Sequence, residues 1–175
     1  GGGLVPRPGN VVAERSEGDA AGPAPGFANE AHDALCHAAG QGHEAVVRLL
    51  LELPGMDPDC GITKKHPALG PLHVAKNGAI VRLLHAFGAK LTLKGPNGVL
   101  PIHMACASAG RADALAALLQ LGLPPLVQDK NRQSCFHHAA RAGNTAGVKT
   151  LVRAAAEQQK GKPCIDSLDR WNRSP

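Results

Sequence analysis

Aromatic residues are nearly absent from this 175-residue chain: they make up 2 % of it, as three Phe, one Trp and no Tyr. A core built here must therefore come from Leu, Val, Ile and Ala, residues that suit close helix–helix packing, because Ala lets backbones approach and Leu carries the contact area. Stacking platforms for single-stranded nucleic acid are missing for the same reason, and no dense basic stripe replaces them, so nucleic acid is not an expected ligand. No apolar run is long enough to span a bilayer, and no basic-then-apolar leader opens the sequence, so a membrane is not expected either. The five cysteines are odd in number, widely spread and nowhere arranged as C-x-x-C. A chain of this length needs no disulfide staples, so reduced thiols and an intracellular setting are expected, cytoplasmic with the nucleus as the alternative.

Catalytic signatures are also lacking. There is no G-x-S-x-G elbow, no Gly-rich dinucleotide turn after a strand, and no convincing carboxylate pair. The segment from Gly143 to Thr150 superficially matches a phosphate-binding loop, but Val148 stands where the second Gly belongs, and the preceding residues read as helix rather than strand. Cys135 beside His137 and His138 could suggest a nucleophile; its place at the opening of a helix favours a semi-exposed, inert thiol. No enzyme chemistry and no cofactor are expected within this stretch.

What the chain does contain is a returning phrase. It reads Gly70-Pro71-Leu72-His73, Leu100-Pro101-Ile102-His103 and Ser134-Cys135-Phe136-His137, each followed by an apolar run such as Ile80-Val81-Arg82-Leu83-Leu84. An earlier, weaker copy runs from Asp33 to His43 and continues into Val46, Val47, Leu49 and Leu50 at helical spacing. The anchors Leu35, Leu72, Ile102 and Phe136 are 37, 30 and 34 residues apart, with the scatter in the connecting segments. A helix–turn–helix unit returning at this period means stacked units that share one core, since no unit can bury both of its faces alone. Ser134 can cap its helix, and Pro is tolerated in a first turn that needs no amide hydrogen.

These copies resemble ankyrin repeats, whose phrase T-P-L-H-x-A-A-x-x-G-H precedes a V-V-x-L-L helix, a Gly-Ala turn and an Asp-x-x-Gly finger. The resemblance implies an all-α ankyrin-repeat solenoid with short β-hairpin-like fingers. Its expected boundaries are a disordered Gly/Ala/Pro-rich tail over 1–28 and an array over 29–175, with units at 29–60, 61–94, 95–128 and 129–165 and a truncated fifth at 166–175. The second unit has an unusually short turn, and the segment from Gly55 to Leu69 is expected to be an extended, mobile loop. Because the chain stops inside the fifth motif, it reads as part of a longer protein.

Functionally, the resemblance implies a non-catalytic protein–protein interaction module, a scaffold or adaptor that works as a monomer on another protein. The alternative is the targeting or regulatory region of a larger enzyme whose catalytic domain lies elsewhere. The family's binding side consists of finger tips and exposed faces of the first helices. Here these are the fingers Lys94 to Gly98, Asp129 to Gln133 and Asp169 to Arg173, with His37, Gln41, Val74, Met104, Ser108, His138 and Arg141 on the helices. The candidate partner-binding residues are Arg132, Arg141, Met104, His138, Arg170, Trp171 and Arg173, since Trp and Arg dominate interface energetics. Trp171 reads equally well as a residue covered by the rest of the fifth unit.

Charge supports the same end. Residues up to Gln128 hold 10 basic and 10 acidic side chains, whereas from Asp129 onward there are 9 basic and 4 acidic, so the net charge of +5 sits in the last quarter. That excess is compatible with an acidic partner but reads mostly as a solvated surface. Nine histidines and five cysteines raise a metal site as a possibility. His73, His103 and His137 occupy the motif position that bonds neighbouring turns, however, and no metal ligands are assigned.

Overall fold

The computed structural model describes residues 25–60, 69–158 and 168–175. The tail before Pro25, most of the segment expected to form the long loop, and Cys164 lie outside the described residues. Eight α-helices are described: α1 (Pro25–Gln41), α2 (Glu44–Leu51), α3 (Pro71–Val74), α4 (Gly78–Ala86), α5 (Pro101–Cys106), α6 (Ala112–Gln120), α7 (Cys135–Arg141) and α8 (Thr145–Gln158). The first begins at Pro25, ahead of the boundary expected at Asn29.

Each antiparallel pair is one repeat of the sequence phrase. The odd-numbered helices α1, α3, α5 and α7 pack one on the next, and the even-numbered α2, α4, α6 and α8 form a second layer against them. The four anchors Leu35, Leu72, Ile102 and Phe136 all lie in the shared core between units. Around them pack Val47, Ile80, Val81, Leu84, Leu115, Leu118 and Leu151, an aliphatic interior of the kind the composition demands.

The local chemistry of each helix end is visible in the sequence. Pro71 and Pro101 occupy the first turns of α3 and α5, where no amide hydrogen is needed. Asn77 caps α4 by accepting the Ile80 amide at 2.9 Å, and Asn144 caps α8 by accepting the Gly147 amide at 2.8 Å. Gly88, with φ of 97°, provides the left-handed residue after α4, and the Ala89 amide closes back onto the Leu84 carbonyl at 3.0 Å.

The short second unit keeps its place despite its reduced turn. Its first helix has only four residues, yet the Lys76 amide donates to the Ala39 carbonyl of the preceding unit at 3.0 Å. The Arg111 guanidinium ties the next junction by donating to the His73 carbonyl at 3.0 Å. In α2, Val46 and Leu49 are exposed, whereas their repeat equivalents Ile80 and Leu83 in α4 are buried. No helix among the described residues is long and apolar enough to cross a membrane.

Candidate interaction surface along the fingers

The motif histidines hold the fingers to the helices. His73, His103 and His137 are all buried, and their Nε2 atoms lie 3.2, 3.0 and 3.0 Å from the carbonyl oxygens of Val99, Val127 and Arg173. In the latter two the ring's other nitrogen, Nδ1, accepts the backbone amide that opens its own helix, from Leu100 at 3.0 Å and Ser134 at 3.2 Å. A nitrogen that accepts an amide hydrogen carries no proton, so these rings are neutral Nε2–H tautomers donating to the carbonyls. Burial favours that neutral state and brings the His103 pKa down to about 4. His73 is lowered for the same reason, and its Nδ1 has no partner among the described residues. Through their Nε2 bonds the histidines act as struts between helix and finger; among the described residues no three His, Cys, Asp or Glu side chains converge as a metal-holding group.

Each finger is a tight hairpin whose ends are joined by an amide-to-carbonyl bond: Gly95 to Val99 at 2.8 Å, Asp129 to Gln133 at 3.0 Å, and Asp169 to Arg173 at 3.0 Å. The fourth residue of each finger, Gly98, Arg132 or Asn172, is left-handed, with φ of 72°, 59° and 58°. Asp129 and Asp169 open the later two fingers and bind them from inside. Asp129 accepts the Asn131 and Gln133 amides at 2.7 and 2.9 Å, and Asp169 accepts the Trp171 and Arg173 amides at 2.8 and 3.0 Å. Desolvation pushes the Asp169 carboxyl up, but the Arg173 amide and guanidinium, with the Trp171 amide, outweigh it and bring its pKa down to about 2.

Successive fingers are stitched together at equivalent positions. The Lys130 amide donates to the Asn97 carbonyl and the Arg170 amide to the Asn131 carbonyl, both at 3.0 Å. The only regular β pairing among the described residues is a single antiparallel bridge between Gln128 and Ser134. At the last finger Trp171 is 55 % exposed, with the Arg173 and Arg170 guanidiniums 4.7 and 5.5 Å from its ring centre. Arg173 is itself held by Asp169 at 2.8 Å, and Arg170 by the Asn131 side chain at 3.2 Å.

A family model described as ankyrin repeats, in three copies, matches residues 72–162, just over half of the chain. The chain belongs to the ankyrin repeat family. Ankyrin repeats are generally protein–protein interaction modules, and the mostly helical, finger-bearing architecture is that of an ankyrin solenoid. No curated protein matches this chain.

Within the ankyrin array, the structure gathers the candidate residues at one end. Arg132, Arg170, Trp171 and Arg173 stand exposed on the last two fingers, Arg141 is exposed on the adjoining α7, and Met104 is half-buried on α5. Between Arg141 and the Asp169–Pro175 finger lies an open cavity of about 210 Å³. His138 requires correction. It was expected on the exposed helix face, but it is 5 % exposed, because its Nε2 turns inward to the Asp129 carboxylate at 3.2 Å and its ring packs 5.1 Å from that of His103. Burial lowers its pKa, against the pull of Asp129. Cys135, expected to be semi-exposed, is fully buried; its hydrogen bond to Cys106 and its burial push the thiol well above the ordinary range.

In the sequence Asp129 and Asp169 stand only as the residues that open two fingers; that their carboxylates bind the finger amides is a finding of the structure. The signal was present as an acid opening each of two five-residue turns, Asp129-Lys130-Asn131-Arg132-Gln133 and Asp169-Arg170-Trp171-Asn172-Arg173.

Proposed function

We propose that this ankyrin array is a non-catalytic, monomeric scaffold or adaptor that binds another protein through the finger side of its last two units. Arg132, Arg170, Trp171 and Arg173 form the centre of that contact, with Arg141 and Met104 extending it along the inner helices; His138 supports it from beneath through Asp129. The array divides into units near 29–60, 61–94, 95–128 and 129–165, followed by the start of a fifth. It requires no cofactor, and its free cysteines suit a reducing, intracellular compartment.

The observation that carries this reading is Trp171. A large indole left more than half exposed, with two guanidiniums beside it on a finger braced by Asp169, has the composition and rigidity of an interface anchor. Arg132 adds a second argument. A non-Gly residue in the left-handed region costs on the order of 1 kcal/mol, and the neighbouring finger uses Gly98 at the same position. The guanidinium stands there against a backbone preference.

The test is partner capture with the full chain and with an Arg132→Ala/Trp171→Ala variant, alongside circular dichroism and melting. Loss of a specific partner with unchanged folding supports this face. Full retention of every partner by the folded variant would overturn the assignment.

A further inference from the structure

Two free cysteines meet across the first unit. Cys36 lies within α1 and is partly exposed, whereas Cys60, in the turn after α2, is 4 % exposed. The Cys60 Sγ lies 3.8 Å from the His32 carbonyl, one helical turn before Cys36, which places it along the same face of α1. The two thiols are thereby neighbours, and the Cys36 Sγ donates to the Leu69 carbonyl at 3.9 Å.

The pair is asymmetric. The adjacent Cys60 lowers the Cys36 pKa, against burial and Asp33, which raise it. The adjacent Cys36, with burial, drives Cys60 well above the ordinary thiol range. Cys36 is the member open to solvent, and Cys60 is its shielded neighbour. The other neighbouring pair, Cys106 and Cys135, offers a contrast, because both side chains are fully enclosed.

We propose that Cys36 is a peroxide-reactive modification site, and that Cys60 resolves it into an intramolecular disulfide joining α1 to the turn after α2. The Cys36 thiolate attacks one oxygen of hydrogen peroxide; the O–O bond breaks, and the departing oxygen leaves as water after taking up the thiol proton. The resulting sulfenic acid is attacked at sulfur by Cys60; the S–S bond forms, the S–O bond breaks, and the hydroxyl leaves as a second water with the Cys60 proton. Two thiols supply two electrons to one peroxide, giving one disulfide and two waters.

The test is exposure of the full chain to hydrogen peroxide, followed by non-reducing peptide mapping and melting. The Cys36–Cys60 cross-link is expected to form about tenfold faster than any change at Cys106 or Cys135, to raise the melting temperature by several degrees, and to revert with dithiothreitol. In a Cys60→Ser variant, Cys36 is expected to accumulate as a sulfenic acid that dimedone traps. A Cys36–Cys164 cross-link in place of the predicted one would overturn the proposal. So would over-oxidation of Cys36 in the parent chain without any cross-link, or a Cys36 rate no faster than that of the enclosed thiols.

Discussion

The Asn144 side-chain amide donates to the Cys106 carbonyl at 3.0 Å, across the junction between the third and fourth units. The same group reaches the Ser108 carbonyl at 3.1 Å, while its oxygen caps α8 through the Gly147 amide. One buried side chain therefore satisfies a helix start and two carbonyls of the preceding unit. Asn144→Ala is predicted to cost about 2–4 kcal/mol in chemical denaturation, more than a cap alone would. Gly147→Ala should also destabilise, since its Cβ would stand 2.5 Å from the Asn144 Nδ2. A loss under about 1 kcal/mol for Asn144→Ala would show the junction to be held elsewhere.

Gly78 should defy helix propensity. An alanine at this helical position would ordinarily stabilise by about 1 kcal/mol. Here its Cβ would lie 2.7 Å from the Asp113 carbonyl oxygen and 3.1 Å from the Ala117 Cβ, because α4 and α6 approach closely at that point. Gly78→Ala is predicted to destabilise by about 1–2 kcal/mol, whereas Gly110→Ala, with nothing within 4 Å, should be neutral or mildly stabilising. Equal melting shifts for the two variants would refute the close-packing argument.

Acid should weaken the array in two separate windows. His103 has its folded pKa lowered from 6.5 to about 4, so between those values the unfolded chain binds more protons. Its contribution, on the order of 3 kcal/mol at full size, is present above pH 6.5 and lost as the pH falls towards 4. His73 and His138 are lowered as well and act in the same direction. Asp169, brought from 3.8 to about 2, contributes above its ordinary value and loses that contribution only as the pH falls towards 2. Melting temperature followed from pH 7 to pH 4 reads the first window; a flat profile there would exclude buried neutral histidines as the source.

Arg132→Gly separates stability from binding. Gly removes the side-chain cost of the left-handed turn at φ of 59°, although it adds freedom to the unfolded chain. A net gain of up to about 1 kcal/mol is expected, together with weaker partner capture. Stabilisation with undiminished capture would leave Arg132 outside the interface.

Much of the array was legible because its signals are local. The spacing of Leu35, Leu72, Ile102 and Phe136 marked the shared core, and the prolines marked the starts of two first helices. Arg132, Arg170, Trp171 and Arg173 could be placed on fingers because a repeat transfers position from unit to unit. His138 could not be read correctly in the same way. Its position in the phrase is a variable surface one, and only the approach of Asp129, nine residues earlier in the same unit, drew the ring inward.

The sequence alone determined that the chain stacks helix pairs, since a Leu- and Ala-rich unit of this period cannot cover both faces by itself. It also determined which residues open each helix, because caps and prolines act within one turn. Tertiary structure decided which polar side chains face inward and which thiols meet. Cys36 and Cys60, Cys106 and Cys135, and Asn144 and Cys106 are brought together only when the chain folds back within a unit or one unit seats against the next. Burial and hydrogen bonding at those meetings depend on distances between segments, which a local pattern does not encode.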